Sequence, residues 1–186
     1  MPWYRTARNY TALLSVSRMK RVISLLLLFA AVISLAACAD EVKYGHCEIE
    51  LPLPESFREH DSGGVYDVAY SDGRIIVGLL RLSYSACVAE GISTAMSPAR
   101  FGEYYRKKAL SGVETSEMLH HGDVPYYTYE IEDGGMKYKY VATFYFTPYA
   151  YIAITYILPA VAYDELIGEI LSYAEGVKIV PYDAEK

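Results

Sequence analysis

From Cys38 to its end this chain has no tryptophan, no asparagine and no glutamine; the single Trp is Trp3 and the single Asn is Asn9. Amide side chains donate and accept together, and pockets specific for polar ligands often rely on them. Their absence weighs against a sugar-binding module, although Tyr, Asp and backbone groups can substitute. No acidic residue precedes Asp40. No repeat appears at periods of 20 to 50 residues, and no stretch is of low complexity. The sequence also lacks H-E-x-x-H, G-x-S-x-G, a P-loop and C-x-x-C, so no familiar catalytic or metal spacing is present. "GISTA" around Ser93 lacks the second glycine of a nucleophile elbow and reads as the approach to a helix.

What is present begins with a leader. Val22 to Ala37 is a run of 16 residues interrupted only by Ser24 and Ser34. A permanent span needs about 20 apolar residues, so the run suits a signal-peptide core. Arg18, Lys20 and Arg21 stand before it and hold that end in the cytoplasm. The four residues Leu35, Ala36, Ala37 and Cys38 resemble a bacterial lipobox. That resemblance implies that Cys38 is diacylated on sulfur, palmitate-like chains anchoring it, and becomes the first residue of the mature chain. An ordinary secretory signal or an uncleaved membrane helix is the competing reading. "MKRVISLLLL" from Met19 is a complete leader by itself, so translation is expected to start at Met19. The expected organisation is a signal peptide over 1–37, a lipidated tether over 38–44 and one domain over 45–186.

Removing the leader changes the charge. Five of the 17 basic residues and none of the 23 acidic ones fall in 1–37, leaving 12 against 23, or −11, from Cys38 onward. Such a balance opposes binding to nucleic acid or anionic lipid. The expected location is the bacterial cell membrane, lipid-anchored, with the domain facing the extracytoplasmic side.

"CEIELPLP" alternates, with Cys47, Ile49 and Leu51 on one face and Glu48 and Glu50 on the other, and reads as a half-buried strand. "SGGVYDVAYSDGRIIVGLLRLS" reads as a hairpin turning at Ser71, Asp72 and Gly73. "SPARFGEYYRKKALSG" predicts a helix with Ser97 at the N-cap and Pro98 at N1. Phe101, Tyr105 and Ala109 lie on its apolar stripe, and Gly112 suits its stop. Arg106, Lys107 and Lys108 complement its dipole. Three strands follow, the first two joined across Asp133, Gly134 and Gly135. One face is expected to carry Tyr127, Tyr129, Ile131, Tyr138, Tyr140, Ala142, Phe144, Phe146, Ile152, Ile154 and Tyr156. The other, read as amphipathic, carries Tyr126, Thr128, Lys137, Lys139, Thr143, Tyr145, Tyr151 and Thr155. "AYDELIGEILSYAEG" predicts a last helix, and "VKIV" a short final strand. The fold class is α+β, a mainly antiparallel sheet with flanking helices.

An opening "IELPLPESF", a hairpin, a helix near "ARFGEYYRKKAL", a Tyr-rich meander and a closing "DELIGEILSYAEGVKI" together resemble the PsbP-like (Mog/PsbP/DcrB-type) domain, an αβα sandwich. The resemblance spans about Gly45 to Val180. It implies a non-enzymatic accessory or binding role at the cell envelope and transfers no functional residue. A cystatin-like or nuclear-transport-factor-like sheet is the other layout. An envelope hydrolase with an unrecognised active site and a purely structural lipoprotein are the competing functions.

Few side chains stand out for chemistry. Cys47 and Cys87 form either a disulfide or two buried thiols. His120 and His121 are weak metal candidates, because neighbours in an extended segment point to opposite faces. Tyr126, Tyr145 and Tyr151 form a candidate binding surface, against the plainer reading that they pack. No cofactor is expected. The expected partners are the bilayer through Cys38 and an envelope protein or small ligand.

Overall fold

The computed structural model describes residues 48–180. The leader, Met19, Cys38, the tether, His46 and Cys47 therefore lie outside the described residues. In chain order the elements are β1 (Ile49–Glu50), β2 (Arg58–Glu59), β3 (Val68–Ser71), β4 (Ile76–Ser83) and α1 (Tyr84–Ala89). There follow α2 (Pro98–Ala109), β5 (Leu119–His121), β6 (Val124–Asp133), β7 (Met136–Phe146) and β8 (Ala150–Pro159). A 3-10 turn (Ala160–Ala162), α3 (Tyr163–Glu175) and β9 (Lys178–Ile179) complete the described chain. Strands β2 to β8 make one sheet ordered β2-β3-β4-β8-β7-β6-β5, and β1 pairs with β9 apart from it. Every pairing is antiparallel. The expected α+β class is the architecture observed.

Local chemistry explains the turns and caps. Gly134 and Gly135 both have positive φ (59° and 82°) between the paired Asp133 and Met136. A two-residue hairpin loop of this type matches the strands' twist and needs residues free to adopt φ > 0. At the β3–β4 turn the Asp72 carboxylate accepts from the N–H groups of Arg74 (2.8 Å) and Ile75 (2.9 Å). Burial pushes that carboxyl up, but these bonds and the Arg74 guanidinium outweigh it and hold it below its usual range. Ser97 caps α2 as expected, its hydroxyl accepting from Arg100 N at 3.3 Å. Ser83 does the same for α1, accepting from Ala86 N at 3.2 Å.

Helices cover both faces of the sheet. On one, Cys87 of α1 and Phe101, Tyr105 and Ala109 of α2 pack on Leu80, Leu82, Tyr127, Ala142, Phe144 and Ala153. A Cβ at Gly102 would stand 2.7 Å from Phe144 and from Met118, so only glycine lets α2 approach this closely. On the other face Leu166, Ile170 and Ala174 of α3 pack on Val77, Leu79, Val141, Ile152, Ile154 and Tyr156, with Ile49 and Phe57.

Two expectations need correction. The register pairs Phe144 with Ala153 and Ala142 with Thr155. Directly opposed residues share a face. Ile152, Ile154 and Tyr156 therefore lie with Tyr145, Thr143 and Val141, on the face read as amphipathic. Tyr151 and Thr155 move the other way. The cause is the β7–β8 turn, where Thr147 N donates to Ala150 O at 2.8 Å and leaves two residues in the loop. That closure pairs odd with even positions, and a one-residue slip exchanges the faces. The second correction is Glu48, which is buried at 2% exposure while Glu50 is exposed.

Candidate functional site

The sheet divides the three singled-out tyrosines. Tyr126 and Tyr145 lie on the α3 face, partly buried against its core. The Tyr145 hydroxyl donates to the Ala174 carbonyl at 2.8 Å and so ties β7 to the last turn of α3. Burial raises its pKa. Tyr151 lies on the opposite face and is fully buried. Its ring stacks on Phe101 with centroids 4.5 Å apart. Its hydroxyl accepts from Met96 N at 2.8 Å and faces the carbonyls of Ser93 (3.2 Å) and Met96 (3.3 Å). Tyr151 thus holds the loop before α2.

His120 and His121 sit on the edge strand β5. His121 Nε2 lies 3.6 Å from a carboxylate oxygen of Glu175 at the end of α3. His120 is exposed and its backbone pairs with Pro125. Among the described residues no group of three or more His, Cys, Asp or Glu is placed to hold a metal ion. Cys87 is fully buried, and burial raises its pKa, which disfavours the thiolate.

Sequence reasoning missed a polar seam at the edge of the α2 layer. Arg106 reaches Glu103 (2.6 Å) and Thr115 (3.2 Å). Its Nε and the hydroxyl of fully buried Tyr127 have no hydrogen-bond partner among the described residues. Burial raises Tyr127 well above the usual phenol range, with Arg106 opposing part of that rise. Tyr66, Tyr105 and Tyr129 are raised by burial as well. At neutral pH these phenols are uncharged and act as packing groups with a polar tip.

Two surface features remain. An open groove of about 360 Å³ is lined by Leu51, Leu53, Pro54, Glu55 and Arg58. Its arginine is turned onto the chain itself, donating to the carbonyls of Glu55 and Phe57. At the β7–β8 turn Phe146 and Tyr149 are exposed at 51% and 58%, and Val88 of α1 at 69%. The backbone of that turn is pinned on several sides. Thr147 Oγ1 accepts from the N–H groups of Tyr149 (3.1 Å) and Ala150 (3.0 Å). Tyr84 N donates to the Tyr149 carbonyl at 2.8 Å, and the Tyr84 hydroxyl to the Thr147 carbonyl at 3.0 Å.

No protein-family model matches this chain, and no curated protein does. Among solved structures it is similar to LpqN, described as involved in cell envelope biogenesis of Mycobacterium tuberculosis. That likeness has 12% identity and a TM-score of 0.46 over 75% of this chain and 89% of that one. It is also similar to the cyanobacterial PsbP (CyanoP) of Synechocystis sp. PCC 6803. There the identity is 12% and the TM-score 0.40, over 78% of this chain and 99% of that one.

Proposed function

We propose that the chain is a lipid-anchored bacterial lipoprotein whose single α+β domain faces the extracytoplasmic side and serves a non-enzymatic binding or accessory role at the envelope. The order of the first forty residues carries this reading. Basic residues precede a short apolar run, "LAAC" ends it, and the acidic residues begin only after it. Cys38 supplies the thiol that would carry the acyl chains. Two acyl chains make membrane residence stable where one is marginal. No described helix is long and apolar enough to cross a membrane. Tyr127, Tyr151 and Cys87 pack in one core and Tyr156 in the other, so this reading assigns none of them a reacting role.

A membrane-impermeant amine reagent tests the orientation. Lys107, Lys108 and Lys137 are exposed. On intact spheroplasts they are expected to react fully while a cytoplasmic marker does not. Labelling only after lysis would overturn the extracytoplasmic placement.

A further inference from the structure

We infer that the domain rests on the bilayer by one end, and that Phe146, Tyr149 and Val88 dip into the lipid interface there. This rests on the lipid anchor at Cys38. It adds an orientation and a contact surface that the anchor alone does not require.

The Glu48 carbonyl accepts from Val180 N at 2.8 Å, so both ends of the described chain lie together. β9, which leads to Val180, follows directly from the C-terminus of α3. That terminus is tied to Tyr145 near the end of β7. Glu175 also lies against Gly122 in the β5–β6 turn, 3.1 Å from where a Cβ would stand. β6 starts just past that turn at Val124, and its pairing with β7 begins at Tyr126 opposite Thr143, three residues before the end of β7 at Phe146. Burial first, then Tyr151, Cys87 and least of all Glu48 raise the pKa of Tyr84, whose hydroxyl bonds the β7–β8 turn. The entry point and the exposed aromatic turn thus share one end of the sheet.

The cost of stretching the tether separates the two ends. Nine residues separate Cys38 from Glu48. Fully extended, they span about 35 Å. β7 alone, from Met136 to Phe146, is 11 residues long, or about 35 Å at strand rise. Bringing the Met136 end to the lipid would need the tether pulled straight along the whole sheet. The Tyr149 end needs almost none of it.

The surface there fits a bilayer interface in its chemistry. An exposed tyrosine presents an apolar ring and a polar tip, the composition favoured at the headgroup level. Phe146 and Val88 supply the apolar part. Glu50, Glu90, Asp123 and Glu175 are exposed around the same end against Lys178 of β9 and Arg100 of α2, a negative balance that gives anionic headgroups no net attraction. The contact is therefore apolar and insensitive to salt, and zwitterionic lipid suffices.

The absence of Trp after Cys38 gives a clean probe. Tyr149→Trp places a single indole in the mature chain, and Met136→Trp places one at the far end. Each full-length lipidated variant is reconstituted in phosphatidylcholine vesicles with and without brominated acyl chains. The indole of the Tyr149→Trp variant is expected to emit to the blue, to lose most of its intensity to bromine and to resist aqueous iodide. The indole of the Met136→Trp variant is expected to do the reverse. Val88→Trp reports the same end as position 149 if Tyr149→Trp folds poorly. If the protein floats with the vesicles while the two indoles behave alike, the anchor stands and this orientation is overturned. Burial of the indole at position 149 in native membranes but not in vesicles also overturns it, by pointing to a protein partner. A protein that does not float overturns the anchor itself.

Discussion

Export of residues 39–186 behind an ordinary cleavable secretory leader, in place of residues 1–38, is expected to move the protein wholly from the membrane to the soluble extracytoplasmic fraction. Lipid chains bind at about 0.8 kcal/mol per buried methylene, and two of them make the anchor stable. The domain has little to set against that loss. No described helix can span a membrane. The net charge of −11 from Cys38 onward opposes anionic lipid. The apolar end of the sheet is too small to substitute: Phe146, Tyr149 and Val88 are only 51%, 58% and 69% exposed. Burying those exposed parts contributes about 3–5 kcal/mol in all, no more than the single acyl chain that is itself marginal. On the proposed reading Phe146 and Tyr149 would orient a domain already tethered and would not hold a free one. Fractionation with the lipidated chain alongside is the measurement. A released domain that remains with the membrane would show a second anchor within residues 39–186.

Phe101→Ala is expected to cost about 3–5 kcal/mol, the usual range for removing a fully packed aromatic ring. Phe101 is 2% exposed. It stacks on Tyr151 at 4.5 Å and meets Phe144 edge-on at 5.9 Å. Truncation removes those contacts and leaves a cavity between α2 and the sheet. It also frees Tyr151, which holds the loop over Ser93 to Met96. A domain of this kind has about 5–15 kcal/mol in total, so the melting temperature should fall by about 10 °C or more. Phe101→Leu, which keeps apolar volume, should lose less than half as much. Thermal or urea unfolding of the three proteins decides it. A Phe101→Ala domain within about 0.5 kcal/mol of the parent would contradict the packing described.

The residues differ in how plainly they announced their places. Ser97-Pro98 marked the start of α2 because capping is a local event. Gly134-Gly135 set the β6–β7 loop at two residues, and the face carrying Tyr127, Tyr129, Tyr140 and Ala142 followed correctly. "TPYA" holds no such signal. Its closure depends on Thr147 bonding Ala150, so the parity of β8 could not be read. A clue was still present in β8 itself: "AYIAITYILP" is a nearly continuous apolar run, the mark of a strand buried on both faces. α1 was missed because its six residues make fewer than two turns, too few for an apolar period to repeat, although Ser83 is a sound N-cap. Glu48 alternates with Ile49 as a surface residue would, and its burial comes from tertiary packing alone. Tyrosine is ambiguous for another reason. Its ring and hydroxyl suit core and surface alike, so composition could not separate Tyr145 and Tyr151 from a binding face.

The central claim is that Cys38 carries lipid and begins the mature chain. Its most direct test is the intact mass and N-terminal peptide of the protein extracted from native membranes. The account predicts a chain starting at Cys38, with the mass of two acyl chains on that residue. An unmodified Cys38 within a longer chain that still carries Leu35, Ala36 and Ala37 would contradict it.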